Sequence, residues 1–545
     1  MRLKKDNSEQ KLNGAYYTPE YLAKKIVELF NLDDIDSVLE PSCGDGVFIN
    51  AIKSIPGFDF NGFIDAIEIN PEETCSLVTK FKNDEKINIY TDDFFHYFST
   101  HVFSKYDLII GNPPYIRYQY LTEAQRHLMS TILSDSGMRP NKLINAWVCF
   151  LVACVRMLSE NGKIAFIIPA EIMQVAYAED LRKFLSNNLS KITLLTFKKL
   201  VFPDIEQEIV IFVGEKGREE KGIRIIEMKD LLDFNTLDLS SNGFQKLSHN
   251  KEKWTKYFAD ADENNLVSSI RKDSRFTALS DIALINVGIT TGNNSFFSVD
   301  KKTADQYDLG SVVRPMIGRS SHAKSILFTH DEWINNVNEG KAANFLDFPD
   351  IDLAQLPAKH QEYISQGVKT GANEGYKCSI REHWYAVPSV WVPDAFLLRR
   401  SCLYPKFVLN KCNAVSTDTM HRIKFNDGID PETALLSYYN SITFAFTEIC
   451  ARSYGGGVLE ILPREAGNVY LPIVQNIPKD EIFRLVDEID KIIKNDEDIE
   501  CVLDIVDKYI LRDKLGINEE HCVCARNLWK KLRGRRLERG AKLVG

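Results

Sequence analysis

The chain has 545 residues, 44% of them hydrophobic and 26% charged, with a formal net charge of -9 at neutral pH. That size and balance suit an ordinary soluble protein of two or three domains, well able to bury a large core. The eleven cysteines show no paired CxxC spacing, and His521, Cys522 and Cys524 lack a second pair of ligands, so neither a disulfide framework nor a metal is expected.

No run of about 18 apolar residues is present, and the leader MRLKKDNSEQ has no apolar signal core, so no membrane partner is expected and the chain is read as cytoplasmic. A net charge of -9 argues against a nucleic-acid partner, but the charge is unevenly spread. Acids concentrate in 476–508 and 331–353, whereas Arg526, Lys530, Lys531, Arg533, Arg535, Arg536, Arg539 and Lys542 make a basic end. That end reads equally as a solvated tail or as a phosphate contact.

In chain order, Tyr17-Thr18-Pro19 precedes an amphipathic helix over 22–30, with Thr18 as its cap and Pro19 in its first turn. A short strand over 37–40 breaks at Pro41-Ser42-Cys43-Gly44-Asp45-Gly46 and resumes as a helix over 47–53. Strand, glycine turn and helix in that order form a nucleotide-type pocket, and the lack of GxGxxG spacing argues against a dinucleotide. The next strand, 62–68, ends in Glu68 beside Ile69, where a carboxylate is placed to accept both hydroxyls of a ribose. A third strand, 86–90, releases Asp92, Asp93 and Phe94, suited to an adenine amino group and its face.

A fourth strand, through Leu108, Ile109 and Ile110, stops at Gly111-Asn112-Pro113-Pro114, which continues neither strand nor helix. Without proline N–H donors the carbonyls there are not drawn into a ladder and are free to point at a ligand. A ring-conjugated amine is a poor nucleophile. If the Asn112 side-chain oxygen and the Pro113 carbonyl accept its hydrogens, its lone pair is freed, with Tyr115 stacked on the ring. Taken alone, the tetrapeptide reads equally well as a turn. Strands alternating with helices at this spacing predict a parallel sheet with ligands at its carboxyl edge.

Past 215 the pattern changes. Residues 216–275 read as a polar linker, 276–475 as an aromatic-rich and turn-rich domain, and 476–545 as helices with a basic tail.

With these strand ends together, the chain resembles the S-adenosylmethionine-dependent DNA adenine-N6 methyltransferases of the gamma arrangement, that is, type II restriction-modification methylases with a C-terminal target-recognition domain. The resemblance implies a class I, Rossmann-like α/β methyltransferase domain over 1–215 and an α+β recognition domain with a helical tail. It implies S-adenosyl-L-methionine as cofactor, held by Tyr17, Thr18, Glu40, Pro41, Cys43, Gly44, Glu68, Ile69, Asp93 (or its neighbour Asp92), Phe94 and Asn112. The catalytic set is Asn112, Pro113, Pro114 and Tyr115, with Phe202 as the second face of a flipped adenine.

Double-stranded DNA is the expected partner, contacted by Arg117, Asn293, Arg319 and Arg464, with Gly455, Gly456 and Gly457 allowing close backbone approach. No segment of domain size is left for a fused nuclease, which argues against a fused restriction enzyme and leaves room for a separate cognate restriction endonuclease; a single recognition region without two-fold symmetry suits a monomer. Two other readings remain. The same tetrapeptide serves methyltransferases acting on RNA or on protein glutamine, and a DNA-binding regulator would keep the pocket without turnover.

Overall fold

Strands β1 (Ser37–Glu40), β2 (Phe63–Glu68), β3 (Ile87–Thr91) and β4 (Tyr106–Gly111) pair in parallel, β1 lying between β2 and β4. The chain is described by a computed structural model over residues 17–55, 60, 62–198, 208–237, 239, 243–247, 253–453 and 456–540. It divides into two units, Met1–Phe258 and Ala259–Gly545.

In the first unit, β5 (Leu158–Pro169), β6 (Lys191–Phe197), β7 (Ile209–Glu215), β8 (Gly222–Met228) and β9 (Gln245–Lys246) extend the sheet to the order β3-β2-β1-β4-β5-β7-β6-β8-β9. Strand β7 runs antiparallel to both β5 and β6. Successive strand residues point to opposite faces. Leu108 and Ile110 therefore join the core beneath α1 (Glu20–Val27), α2 (Val47–Lys53) and α3 (Pro71–Phe81), while Ile109 joins the opposite core. That second core is built by α4 (Phe94–Thr100), α5 (Glu123–Asp135), α6 (Ala146–Met157) and α7 (Glu179–Asn188). With both faces covered, the central strands read as continuous apolar runs. The order reverses between β1 and β4, so the carboxyl ends of these two strands flank the crevice where such sheets bind ligands.

The structure corrects three boundaries. Helix α1 begins at Glu20 with Pro19 in the cap position and no side-chain cap, so Thr18 does not cap it. The segment 216–275 is not a linker: β8 pairs in parallel with β6 along its whole length, and 261–270 form helix α8 (Ala261–Ile270) of the second unit. Strand β8 reads as polar because Arg224 and Glu227 interrupt it, yet Arg224 is buried, its guanidinium bonded to Thr193 Oγ1 at 2.9 Å.

The third correction concerns 476–545, which is not a separate segment. Helices α9 (Pro431–Tyr438), α10 (Ser441–Cys450), α11 (Lys479–Lys494), α12 (Ile499–Val506) and α13 (Glu519–Gly540) share one hydrophobic core, from Leu435 and Phe444 to Ile489, Val502 and Trp529. Around them the second unit carries a five-stranded sheet in the order Ala283–Val287, Met420–Phe425, Ala395–Leu398, Phe407–Asn410, Leu327–Phe328.

Four cations of the basic end are correspondingly tied into the unit. Arg536 is 1% exposed and donates to Glu448 Oε1 at 2.8 Å and to the Gly457 carbonyl at 2.7 Å. Arg526 pairs with Asp504 and, at 2.8 Å, with Asp507, while Lys530 and Lys531 reach Glu500 and Glu263 at 2.6 and 2.9 Å. The buried Arg536 is thereby withdrawn from any phosphate, and the pairing of the other three weakens the phosphate reading for them. Among the described residues no helix is long and apolar enough to cross a membrane.

Candidate active site

The loop after β1 turns twice through left-handed backbone, at Gly44 (φ +51°) and Gly46 (φ +73°), conformations that L side chains rarely adopt. The Cys43 N–H donates to the Ile67 carbonyl at 2.9 Å, which ties this loop to the end of β2. The Gly44 N–H then donates to Glu68 Oε2 and the Asn70 N–H to Glu68 Oε1, both at 2.9 Å. Glu68 is thereby held rigidly at the mouth of β2, with lone pairs left over for other donors. Ile69 beside it keeps an apolar side chain 58% exposed. Pro41 and the Cys43 thiol are buried, and burial pushes that thiol up, so it acts as a packing residue and not as a nucleophile.

Glu40, at the end of β1, is buried, and its Oε2 has no hydrogen-bond partner. Burial first, then the nearby Asp45 and Glu68 charges, hold its carboxyl well above the usual range. An orphaned carboxylate oxygen is costly unless something arrives to pair with it.

Tyr17 lies over this loop. A Cβ on Gly44 would come 3.6 Å from its ring, and its hydroxyl donates to Glu73 Oε1 at 2.9 Å. Partial burial and the Glu73 bond raise the Tyr17 phenol to about 12, so it stays a neutral donor.

At the end of β4, the Asn112 side-chain amide donates to Thr18 Oγ1 at 3.3 Å, and the Ser42 hydroxyl donates to the Asn112 carbonyl at 3.3 Å. The Tyr115 hydroxyl lies 3.2 Å from Asn112 Oδ1 and 3.0 Å from the Ile167 carbonyl, donating toward both. Pro113 is buried and Pro114 half-buried. The fold thus brings Thr18, Ser42, Asn112, Tyr115 and the end of β5 together. The partners Thr18 and Ile167 lie 94 and 52 residues from Asn112 and Tyr115, beyond the reach of sequence spacing.

Asp93 caps α4, its Oδ1 accepting from Phe95 N–H at 2.8 Å and its Oδ2 from Gln125 Nε2 at 2.7 Å. Asp92 instead faces His96, 2.9 Å from its Nδ1. The Phe94 side chain does not offer a face to a ligand. It is buried and stacks on Phe150 with ring centroids 4.7 Å apart, so what this residue presents is its backbone at the start of α4.

Of the groove candidates, Arg117, Arg319 and Arg464 are exposed. Asn293 is not available: its Oδ1 accepts from Ser295 Oγ at 2.6 Å and from Phe296 N–H at 3.2 Å, closing its own turn. Gly457 takes positive φ (+77°), and its carbonyl is already held by Arg536. Phe202 and Gly455 lie outside the described residues. Among the described residues no group of His, Cys, Asp and Glu is placed to hold a metal ion.

Comparison with known proteins matches the two parts of the chain separately. Residues 48–202 match the Eco57I restriction-modification methylase family, and residues 251–511 match the C-terminal domain of the type II methyltransferase M.Eco57I. The type II methyltransferase M.AccI of Acinetobacter calcoaceticus is 23% identical over 526 residues, covering 92% of this chain and 93% of that protein. M.HincII of Haemophilus influenzae is 29% identical over 248 residues, 44% of each chain. Among solved structures, the type IIL restriction-modification enzyme MmeI in complex with DNA superposes with a TM-score of 0.56 at 11% identity, covering 98% of this chain and 78% of that one, a likeness of fold. The methylase model and the C-terminal-domain model are matched in order along a single chain, and with these relatives they identify it as a type II restriction-modification methylase of the Eco57I kind.

Proposed function

We propose that the protein methylates the N6 amino group of an adenine flipped out of double-stranded DNA at a specific site. The observation that carries this reading is the posture of Asn112. Its amide nitrogen is bonded to Thr18, so its oxygen is the end turned toward Tyr115, as an acceptor for amine hydrogens. A flipped base would displace the Tyr115 hydroxyl from that oxygen and stack on the Tyr115 ring. With Oδ1 and the Pro113 carbonyl each accepting one hydrogen, the amine lone pair leaves conjugation and becomes nucleophilic.

The pocket fits S-adenosyl-L-methionine. Glu40 offers a buried, unpaired carboxylate oxygen to a cationic group, Glu68 a fixed carboxylate to ribose hydroxyls, and Ile69 an apolar surface to a base, with Tyr17 and Thr18 closing the loop side. Bound there, the cofactor supplies an electrophilic methyl group. Asp93 is already committed to Gln125 and to the α4 cap, so it serves as a fixed acceptor whose remaining lone pairs face an adenine amino group.

The relatives are named as type II methyltransferases and the matching family as restriction-modification methylases, which supports a role in a restriction-modification system; its endonuclease is taken to be a separate protein. A single recognition domain lacks internal two-fold symmetry and suits a monomer.

The test is modification-sensitive sequencing of DNA from a methylation-free host expressing this chain. N6-methyladenine in one recurring short context is the expected result. Absence of modified adenine, with soluble protein that binds the cofactor, overturns the reading in favour of an RNA or protein acceptor.

A further inference from the structure

The loop that carries Asn112 and Tyr115 does not end at the tyrosine. Ile116 is anchored through its carbonyl to the Ala146 N–H at 2.9 Å, and Arg117 forms a bridge with Asn145. A tight turn, Tyr118–Tyr120, then leads into α5, which opens on a capping box between Thr122 and Gln125. Such a cap contributes about 1 kcal/mol and fixes the direction of the helix.

One turn into α5, Arg126 folds back over the loop. Its Nε donates to the Tyr118 carbonyl at 3.1 Å, its Nη2 to the Gln119 carbonyl at 2.8 Å, and its guanidinium lies 5.3 Å from the centre of the Tyr118 ring. Both bonds go to neutral carbonyls, so the positive charge is held in place without being neutralised. Three of its five N–H groups remain free of these bonds.

Beside Arg126 opens a cavity of about 590 Å³ lined by Tyr118, Gln119, Arg126, His127, Lys142 and the carboxylate of Glu123, among others. Between Asn112 and Asn145 the chain carries Arg117, Arg126, Arg139 and Lys142 against only Glu123 and Asp135, a local positive excess in a chain of net charge -9. None of these four cations forms an ion pair among the described residues. The basic tail differs, since Arg526, Lys530, Lys531 and Arg536 are all paired with carboxylates. An unneutralised patch persists at low energetic cost where water, or an anion, meets it.

We propose that this cavity grips backbone phosphates of the DNA strand that carries the target adenine, with Lys142 and Arg126 supplying charge and the Tyr118 ring stiffening the wall. Extruding a nucleotide rotates it about its own backbone, and the loop that receives the base runs directly into this patch. Phosphate contacts at that point set the register of the strand while carrying no sequence information. The inference rests on the DNA-methylation reading.

The test uses the full chain and a 20-base-pair duplex, with binding measured across a range of salt concentrations. Each phosphate neutralised contributes about 0.9 to the slope of log affinity against log salt. Lys142 is exposed and makes no bond among the described residues, so Lys142→Ala leaves the fold intact. It is expected to reduce the slope by about 0.9 and weaken binding about eightfold at 0.1 M salt, and Arg117→Ala combined with it to reduce the slope further.

A duplex with neutral methylphosphonate linkages flanking the adenine should weaken binding by wild type more than binding by Lys142→Ala, which keeps Arg126 but has already lost one phosphate contact. An unchanged slope in Lys142→Ala, with wild-type DNA binding intact, overturns this inference alone. Failure of the wild type to bind any duplex overturns it together with the reading it rests on.

Discussion

Asn112 donates its side-chain N–H to Thr18 Oγ1 at 3.3 Å, joining the loop after β4 to a residue 94 positions earlier. An amide has one accepting and one donating end, and only the accepting end suits an amine. Under the proposed function, Thr18 is a positioning residue that leaves Asn112 Oδ1 as the end offered to the amine. Thr18→Val, which keeps the shape and loses the acceptor, should lower kcat by about fivefold, the equivalent of about 1 kcal/mol for one hydrogen bond. Thr18→Ser should restore it. Methyl transfer from labelled cofactor into DNA checks this, and an unchanged kcat in Thr18→Val would assign Thr18 to packing.

The Tyr115 hydroxyl lies against the same Asn112 oxygen and the Ile167 carbonyl, so the residue has two separable parts. The ring offers stacking worth about 1–3 kcal/mol per base, whereas the hydroxyl occupies the acceptor that the substrate needs. Tyr115→Ala is expected to lose most turnover, about tenfold to a hundredfold, with cofactor affinity kept. Tyr115→Phe should stay within a few-fold of wild type. Single-turnover rates for the three proteins decide, and a wild-type rate in Tyr115→Ala would remove the stacking role.

Glu40 gives a pH prediction. Burial beside Asp45 and Glu68 raises its carboxyl in the free protein, so the folded chain holds a proton that the unfolded chain releases nearer the ordinary glutamate range. The sign for stability follows: the free protein gains from Glu40 at low pH, and that gain is lost as pH rises from the unfolded value toward the folded one. Binding a cationic cofactor favours the carboxylate and expels the proton. Cofactor affinity should therefore rise with pH through the folded titration of Glu40, and Glu40→Gln should flatten that dependence. Calorimetric titration in buffers of different ionisation enthalpy reads the released proton directly. No proton release on binding would detach Glu40 from the cofactor.

Much of the catalytic unit was legible because buried parallel strands announce themselves. Each is a short apolar run ended by a residue that cannot continue it, such as Gly111 before Asn112 or Glu68 before Asn70-Pro71. What sequence misplaced had long-range causes. Thr18-Pro19 has the local form of a helix cap, but the threonine hydroxyl accepts from Asn112 instead. Strand β8 looked like linker because Arg224 and Glu227 break its apolar pattern, and the bond that buries Arg224 comes from a strand 31 residues away. Asn293 had the vocabulary of a groove contact and is consumed by its own turn.

The clearest such case is α13, and it yields the last prediction. Read in sequence, Arg536 is one of eight cations at a basic end. Folded, it is 1% exposed against a buried Glu448 that lies 88 residues earlier. Removing one partner of a buried pair strands the other charge at a cost of about 3–5 kcal/mol. Arg536→Ala should thus lower the melting temperature of the second unit by several degrees, while the salt slope of DNA binding, measured well below the melt, stays that of wild type because this guanidinium meets no phosphate. Replacing both partners, Arg536→Met with Glu448→Leu, should recover most of the stability, since a packed apolar pair carries no desolvated charge. A reduced salt slope in Arg536→Ala, with the melt unchanged, would return the tail to the DNA interface and contradict the packing of α13 on α10.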